Sequence, residues 1–324
     1  MKPVATLTGR AQYHHDSQNQ VVIFSDEPGW HGRKLTEAFA LTGLQALYVS
    51  LSDCSFDLSS NAVADDKTLK IPGVDLQTVK GVFVRGVAGG QLEEVILRLN
   101  ILHALEAMNI PVFNTGRAIE RTVDKGMTSF LLRQQGLPTM DTWVTGSQEH
   151  ALQIANECIS TTGSVVVKPI FGSQGKGVMR VSDIAEFERI EPVNGVYYLQ
   201  AYVRPDGQTY RDWRVFVIRG VAIAAMQRSS KHWVTNRAQG AECEPFQPDL
   251  DVKKLAEKAA AALNVDYAGV DLMRNSDGDW LVSEVNGIPA WQGLQRTCKV
   301  NVAAKLVEAF LDKAKRQALI TANA

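Results

Sequence analysis

Cysteine is scarce in this sequence of 324 residues, and its four cysteines lie far apart. None of them belongs to a C-x-x-C pair, so the spacing predicts neither a structural zinc site nor a disulfide framework. Isolated thiols are typical of proteins from a reducing compartment. The four positions are Cys54, Cys158, Cys243 and Cys298.

The sequence also lacks an excess of charge of either sign, and it lacks long apolar runs. Lys and Arg total 34 against 35 Asp and Glu, a formal net charge of −1. No overall field therefore attracts nucleic acid or an anionic membrane surface. No apolar run approaches the length of a membrane span, and the first residues, MKPVATLTGR, contain no secretory apolar segment. We expect a cytoplasmic protein that binds neither nucleic acid nor membrane.

The first third of the chain alternates short strands with helices after a polar arm, residues 1–20. His14 and His15 in this arm are a possible metal pair, but a solvated, flexible tail is the simpler interpretation. Over residues 21–115, amphipathic helical segments separate the apolar stretches VVIF, ALYVSL, KGVFVRG and IPVFN. This alternation predicts a parallel, doubly wound βαβ domain.

The remaining two thirds of the chain have a different pattern, which predicts an α+β organisation. Helical segments are expected at 127–136 and about 147–160, and strands dominate after Gly195. A charged, alanine-rich helix (251–263), a hairpin (268–286) and an amphipathic helix (301–317) complete the chain.

A loop rich in glycine and lysine lies within VVVKPIFGSQGKGVMRV, residues 165–181. It lacks the spacing of a P-loop, and because strand-like residues follow it, it does not open a helix. It is therefore predicted to join two strands, with small residues that let backbone N–H groups approach phosphate and Lys168 at its root. A flexible turn with solvated lysines is the alternative. The small residues are Gly172, Ser173, Gly175 and Gly177.

A second signal is the acidic hairpin AGVDLMRNSDGDWLVSEVNG, residues 268–287. Asp277-Gly278 predicts a two-residue turn, which places Asp271 opposite Glu284 and Asn286 on the same face. Facing carboxylates about 5 Å apart repel unless a cation lies between them, and oxygen ligands suit Mg²⁺ or Mn²⁺. A solvent-facing polar side of the hairpin is the alternative. With the lysine loop, this pair indicates a nucleoside triphosphate site.

These motifs resemble those of the ATP-grasp ligases, and within them the RimK-type glutamate ligases. The matching stretches run in order: Asp124-Lys125, VVVKP, GSQGKGV, LQAYV, DWRVFV, AAMQRSS, WVTN, GVDLM and SEVNGIPAW. The resemblance implies an ATP-grasp fold with a pre-ATP-grasp βαβ domain (21–115), a central lid subdomain (116–200) and a C-terminal antiparallel-sheet subdomain (201–324). It also implies a homo-oligomer.

The resemblance assigns roles to individual residues. Lys125 and Lys168 correspond to phosphate-binding lysines, and Arg214 and Arg228 to the arginines that act on the phosphate and the acyl phosphate. Asp271, Glu284 and Asn286 correspond to the metal ligands. The remaining nucleotide contacts implied are Gly172, Ser173, Gln174, Gly175, Gly177, Gln200, Tyr202, Val203 and Asn236.

The implied reaction is ATP- and Mg²⁺-dependent joining of a carboxylate to an amine. ATP phosphorylates the carboxylate, and the amine then attacks the acyl phosphate to give an amide, ADP and phosphate. The lid subdomain would exclude water, which otherwise hydrolyses this intermediate.

The substrate is indicated by the N-terminal motifs EPGWHGRKLTEAF and FVRGVAGG, which are similar to those of ligases in tetrahydromethanopterin biosynthesis. The partners implied are ATP, L-glutamate and a small carboxylate acceptor of the pterin type. Arg85, at a predicted strand end, and Lys231 are candidates for contacting an acidic substrate. A strand-end surface charge and a solvated loop lysine are the respective alternatives.

Two other functions stay open on the sequence. One is a ligase that modifies a protein C-terminus or another amino-acid or peptide acceptor. The other is a regulatory module that binds ATP without catalysis. The complete set of Arg228, Asp271, Glu284 and Asn286 argues against the second, since a module that only binds ATP does not need all of them.

Overall fold

The computed structural model describes residues 19–64, 67–172, 175–204, 209–235 and 240–322 of the chain. The predicted arm of residues 1–20, including His14 and His15, lies outside the described residues except for its last two positions. The first strand begins at Gln20, which is buried. Ser173, Gln174 and Asn236 also lie outside the described residues.

The first layer is a parallel sheet of four strands in the order β2-β1-β5-β6. Every residue of β1 is buried, as expected for a parallel strand covered on both faces. From β1 the chain moves outward to β2 and then returns to β5 on the other side, so the predicted doubly wound topology is confirmed. Its elements are β1 (Gln20–Phe24), α1 (Gly29–Ala40), β2 (Gln45–Val49), β3 (Ser55–Phe56), α2 (Ser60–Ala64), β4 (Leu69–Lys70), β5 (Val82–Val84), α3 (Leu92–Ala107) and β6 (Val112–Phe113).

The second layer is an antiparallel sheet in the order β7-β10-β8-β9. Pairing of Val165 with Val181 confirms that the glycine-lysine loop joins two strands. A helix, α6, covers one face through Ala151, Ile154 and Cys158. The elements are α4 (Gly116–Val123), α5 (Lys125–Gln134), β7 (Thr142–Thr145), α6 (Gln148–Thr162), β8 (Val165–Lys168), β9 (Met179–Val181), α7 (Ile184–Phe187) and β10 (Tyr197–Ala201).

The third layer is a five-stranded antiparallel sheet in the order β13-β12-β11-β14-β15. One face packs on α8, and the other shares a core with the first sheet and α10, in which Phe216 and Phe310 are fully buried. The elements are β11 (Tyr210–Ile218), β12 (Val221–Ser230), β13 (Glu242–Pro245), α8 (Leu250–Leu263), β14 (Tyr267–Arg274), β15 (Trp280–Asn286), α9 (Gln292–Thr297) and α10 (Val302–Ala322).

The turn of the acidic hairpin differs from the predicted one. Arg274 pairs with Trp280 and the Asn275 N–H donates to Asp279 O at 3.0 Å, so three residues, not two, form the loop. Gly278 has φ +87, which suits glycine at the end of such a loop. An irregularity after Asp271 then shifts the register back by one residue. Asp271 therefore faces Glu284 as predicted, although the turn was wrong.

Several short elements were not predicted from the sequence: β3, α2, β4, α4, α7, β13 and α9. The domain boundaries at residues 20, 115 and 200 stay predictions, and the last of them falls inside β10. Within the described parts of the chain, no helix combines the length and apolar character that crossing a bilayer needs.

Candidate active site

A cleft between the second and third sheets collects most of the predicted nucleotide and metal residues. Its walls come from α5, the β8–β9 hairpin and β10 on one side, and from β11, β12, β14 and β15 on the other. The predicted residues that line it are Lys125, Lys168, Gly172, Gly175, Gln200, Tyr202, Val203, Arg228, Asp271 and Glu284.

Two lysines reach the cleft from the second sheet. Lys168 ends β8, and its Nζ donates to Gln200 Oε1 at 2.6 Å; Lys125 begins α5, and its Nζ donates to Gly172 O at 2.7 Å. Burial is the main cause that lowers the pKa of Lys168 to about 8; the Glu284 charge opposes this shift and the Lys125 charge adds to it. Burial also lowers the pKa of Lys125. An anion between the two ammonium groups would relieve their repulsion.

The hairpin between β8 and β9 needs glycine at Gly177. Its φ is +71, and a Cβ there would lie 2.9 Å from Pro169 Cγ, closer than such contacts allow. Gly177 does not itself line the cleft, so it shapes the hairpin, whereas Gly172 and Gly175 lie at the wall. The hairpin also contacts Lys125, whose ammonium group donates to the Gly172 carbonyl.

Two arginines and two aspartates form a buried ladder across the third sheet. Arg228 pairs across strands with Asp212, with Nε–Oδ1 2.6 Å and Nη2–Oδ2 2.7 Å. Arg214 pairs with Asp271, with both nitrogen–oxygen distances 2.7 Å. Arg228 Nη2 also lies 3.0 Å from Asp271 Oδ2, which joins the pairs. All four residues are less than a tenth exposed.

Asp212 is a site residue that the sequence analysis missed. It also accepts a hydrogen bond from the Thr235 hydroxyl at 2.5 Å. The available signal was the spacing of Asp212 and Arg214, because residues two apart in a strand lie on one face. Burial raises the pKa of Asp212, although the Arg228 charge opposes this shift. Burial acts in the same direction on Asp271, but the charges of Arg214 and Arg228 together outweigh it, so the pKa of Asp271 is lowered.

Glu284 is the carboxylate that remains open. Glu284 of β15 faces Asp271 on the neighbouring strand β14 and accepts no hydrogen bond from the described residues. Burial, reinforced by the Asp271 charge, raises its pKa against Lys125 and Lys168. A half-buried carboxylate that accepts no hydrogen bond and lies beside a second carboxylate fits a divalent cation.

The predicted metal ligands Asp271, Glu284 and Asn286 would need further oxygen ligands from outside the protein to complete a metal site. Asp271 already contacts two arginines, and Asn286 Nδ2 lies 3.4 Å from its Oδ2. Over the described ranges, no group of three His, Cys, Asp or Glu residues could hold a metal. Mg²⁺ commonly binds through one or two carboxylates together with phosphate oxygens. The residues present fit that arrangement.

The end of the cleft formed by the segment after β10 is aromatic. The Arg180 guanidinium lies 3.7 Å from the Tyr202 ring centroid, and Trp233 meets the same ring edge-on at 6.5 Å. Flat groups of this kind suit a planar base. The side-chain amide of Gln200, by contrast, already has protein partners. Its oxygen accepts a hydrogen bond from Lys168, and its nitrogen donates to Thr142 Oγ1 at 3.1 Å.

The two predicted substrate residues lie away from this cleft. Lys231 is exposed just beyond β12 and does not line it. Arg85 follows β5 and contacts the segment after β15, donating to Pro289 O at 3.1 Å and stacking over Trp291 at 4.7 Å. Trp291, fully buried, had not been singled out from the sequence.

Nucleotide binding is expected to weaken as pH rises through about 8. Protonated Lys168 attracts phosphate, and its lowered pKa of about 8 means that the ligand-free protein loses this charge above that pH. Binding must then restore the proton, so affinity should fall up to about tenfold per pH unit. Titration calorimetry with ADP at about pH 7, 8 and 9 measures this. Lys168→Arg, which stays protonated, should flatten the profile; a flat wild-type profile would contradict the assignment.

Residues 122–310 match the family model described as a RimK-like ATP-grasp domain. The tetrahydromethanopterin:alpha-L-glutamate ligase of Methanococcus maripaludis is 32% identical over 299 residues, covering 90% of this chain and 98% of that protein. The protein of the same name from Methanosarcina acetivorans is 28% identical over 320 residues, covering 89% and 97%.

Solved structures of the ATP-grasp ligase PsnB share the fold. The complex with minimal precursor has a TM-score of 0.69 at 19% identity, covering 92% of this chain and 99% of that one. A complex with minimal precursor, Mg and ADP has a TM-score of 0.67 with the same coverage. At 19% identity, the similarity to PsnB shows a shared fold and nothing further.

Proposed function

Because the chain belongs to the RimK-like ATP-grasp family, whose members are ATP-dependent carboxylate–amine ligases, we propose that it adds L-glutamate to a pterin acceptor of the tetrahydromethanopterin type. The relatives named for this reaction support the substrate class, since the similarity extends over nearly their whole length. The observation that carries the ligase chemistry is the cleft in which two lysines, the open Glu284 and the buried Arg228 meet.

The nucleotide end of this cleft is proposed to hold ATP by charge and by shape. Lys125 and Lys168 would bind its phosphates beneath the β8–β9 hairpin, and Tyr202 and Val203 would border the base. Glu284 and Asp271, with Asn286, would hold Mg²⁺. When bound, the ion supplies positive charge that offsets the charge developing on the transferred phosphoryl group.

The ladder end of the cleft is proposed to carry the chemical steps. The acceptor carboxylate attacks the terminal phosphorus of ATP, ADP leaves, and the glutamate amine then displaces phosphate from the acyl phosphate. Arg228 lies in the wall of the cleft with its guanidinium fixed by Asp212, so its orientation is set before the substrates arrive. A cation held in this way stabilises the charge on the phosphoryl oxygens and on the tetrahedral oxyanion.

A coupled assay tests this function directly. ADP should form only when ATP, L-glutamate and the pterin acceptor are all present, and mass spectrometry should find the acceptor extended by glutamate. ADP formation that requires a peptide acceptor would move the assignment to a ligase acting on peptides. ATP that binds but is not consumed with any acceptor would indicate a binding module.

A further inference from the structure

A second candidate site is the switch point at the carboxyl ends of β1 and β5, where the strand order of the parallel sheet reverses. Such switch points are where open α/β sheets bind ligands. The loops after the two strands touch, since the N–H groups of Arg85 and Gly86 both donate to Phe24 O, at 2.8 and 3.0 Å. Beside them α1 begins at Gly29 without a side-chain cap or an acidic residue in its first turn.

Arg85 is the cation at this switch point, and its position is set by the C-terminal part of the chain. It is half-buried, stacks over Trp291 at 4.7 Å and donates to Pro289 O at 3.1 Å. Among the described residues it has no carboxylate partner. A stacked guanidinium has little freedom to reorient, which favours bidentate binding of a carboxylate.

Trp291 is itself held in place from the first domain. His31 of α1 accepts hydrogen bonds through Nε2 from the Trp291 N–H at 3.1 Å and the Gln292 N–H at 3.3 Å. The His31 and Trp291 rings also meet edge-on at 4.6 Å. These contacts fix the surface on which Arg85 lies, although the residues are 260 positions apart.

Arg85 is linked to the buried ladder through Pro289. Pro289 follows the predicted metal ligand Asn286 by three residues. A Cβ on Gly269 would lie 3.0 Å from Pro289 Cβ and 3.2 Å from Arg214 Cδ, so Pro289 and Arg214 meet at this glycine. Arg85 is therefore connected to Arg214 of the ladder through Pro289 and Gly269.

The two arginines of the ladder, unlike Arg85, already have carboxylate partners. Arg214 and Arg228 each form a bidentate pair with an aspartate. Ligation of glutamate leaves both of its carboxylates unreacted, and a pterin acceptor with more than one carboxylate also retains a charge. We propose that Arg85 binds such an unreacted substrate carboxylate; this inference rests on the proposed function and identifies the recognition element of the same reaction.

The test compares Arg85→Met and Arg85→Lys with wild type, measuring KM for glutamate and for the acceptor separately. Loss of a charge-assisted pair should raise one of the two KM values about 10- to 100-fold in Arg85→Met while the ADP affinity stays unchanged. Arg85→Lys should recover part of the loss. Arg117→Met, which removes an exposed arginine of α4, serves as the control and should leave both KM values unchanged.

Substrate analogues then separate recognition from a structural effect. If Arg85 binds a glutamate carboxylate, wild type should discriminate against either glutamine or isoglutamine, each with one carboxylate converted to an amide. Arg85→Met should lose that discrimination, which a merely loosened fold would not cause selectively. A raised KM for the acceptor alone would place the acceptor carboxylate at Arg85.

Two failures are distinguishable. If wild type forms a glutamylated pterin and Arg85→Met retains both KM values, or loses activity toward every analogue equally, the role of Arg85 is wrong and the function stands. If wild type forms no such product, the proposed function fails, and the inference about Arg85 fails with it.

Discussion

Replacing Glu284 with glutamine is expected to reduce Mg²⁺-dependent turnover more than about 100-fold. Loss of a residue that hydrogen-bonds to a metal ligand typically lowers metal affinity or activity 10- to 100-fold. Loss of the carboxylate predicted to bind the metal directly should lower activity more. The fold should survive. Burial and the Asp271 charge raise the pKa of Glu284, so its ionised form destabilises the folded state at neutral pH. The melting temperature of Glu284→Gln at about pH 7 should therefore be equal to that of wild type or higher.

Turnover measured against Mg²⁺ concentration provides the check. Glu242→Gln is a matched control, because Glu242 is exposed on the edge strand of the same sheet, away from the cleft. It should leave the Mg²⁺ dependence unchanged. Unchanged turnover of Glu284→Gln at limiting Mg²⁺ would remove the acidic hairpin from the mechanism. A lower melting temperature would mean that Glu284 stabilises the fold, contrary to the direction of its pKa shift.

The hairpin shows how much local pattern can predict. The pairing of Asp271 with Glu284 is local, because a single turn joins the two strands, and alternation puts both residues on one face. The turn itself was misjudged, since Asn275 accepts hydrogen bonds from the N–H groups of Asp277 and Asp279 and thereby stabilises a longer loop. The extra loop residue shifts the register by one, and the irregularity after Asp271 shifts it back. Asp271 therefore still pairs with Glu284 as predicted.

The partners of the arginines are not local, and the sequence could not predict them. Arg214 meets Asp271 because β11 lies between β12 and β14, an order that hairpin spacing does not determine. The contacts of Arg85 with Pro289 and Trp291 join residues about two hundred positions apart. Motifs therefore predicted several charged residues that line the cleft. Which charge neutralises which followed only from the packing of the sheets.

Replacing Arg228 with alanine is expected to destabilise the folded protein as well as to abolish ligation. The guanidinium is 3% exposed and contacts Asp212 and Asp271, so its removal leaves two carboxylates buried with less compensation. Breaking a buried pair in this way costs about 3–5 kcal/mol of unfolding free energy. Urea denaturation of Arg228→Ala measures it.

A second substitution separates the structural role of Arg228 from its catalytic role. Adding Asp212→Asn removes the charge that Arg228→Ala leaves unpaired, so the double variant should regain a good part of the lost stability. It should remain inactive in amide formation while binding ADP normally, because Lys125 and Lys168 lie on the other side of the cleft. If the double variant is no more stable than Arg228→Ala, the Asp212–Arg228 pair does not determine stability. If it regains ligase activity, Arg228 serves the fold alone, and the positive charge at the reacting centre must come from Arg214 or the lysines.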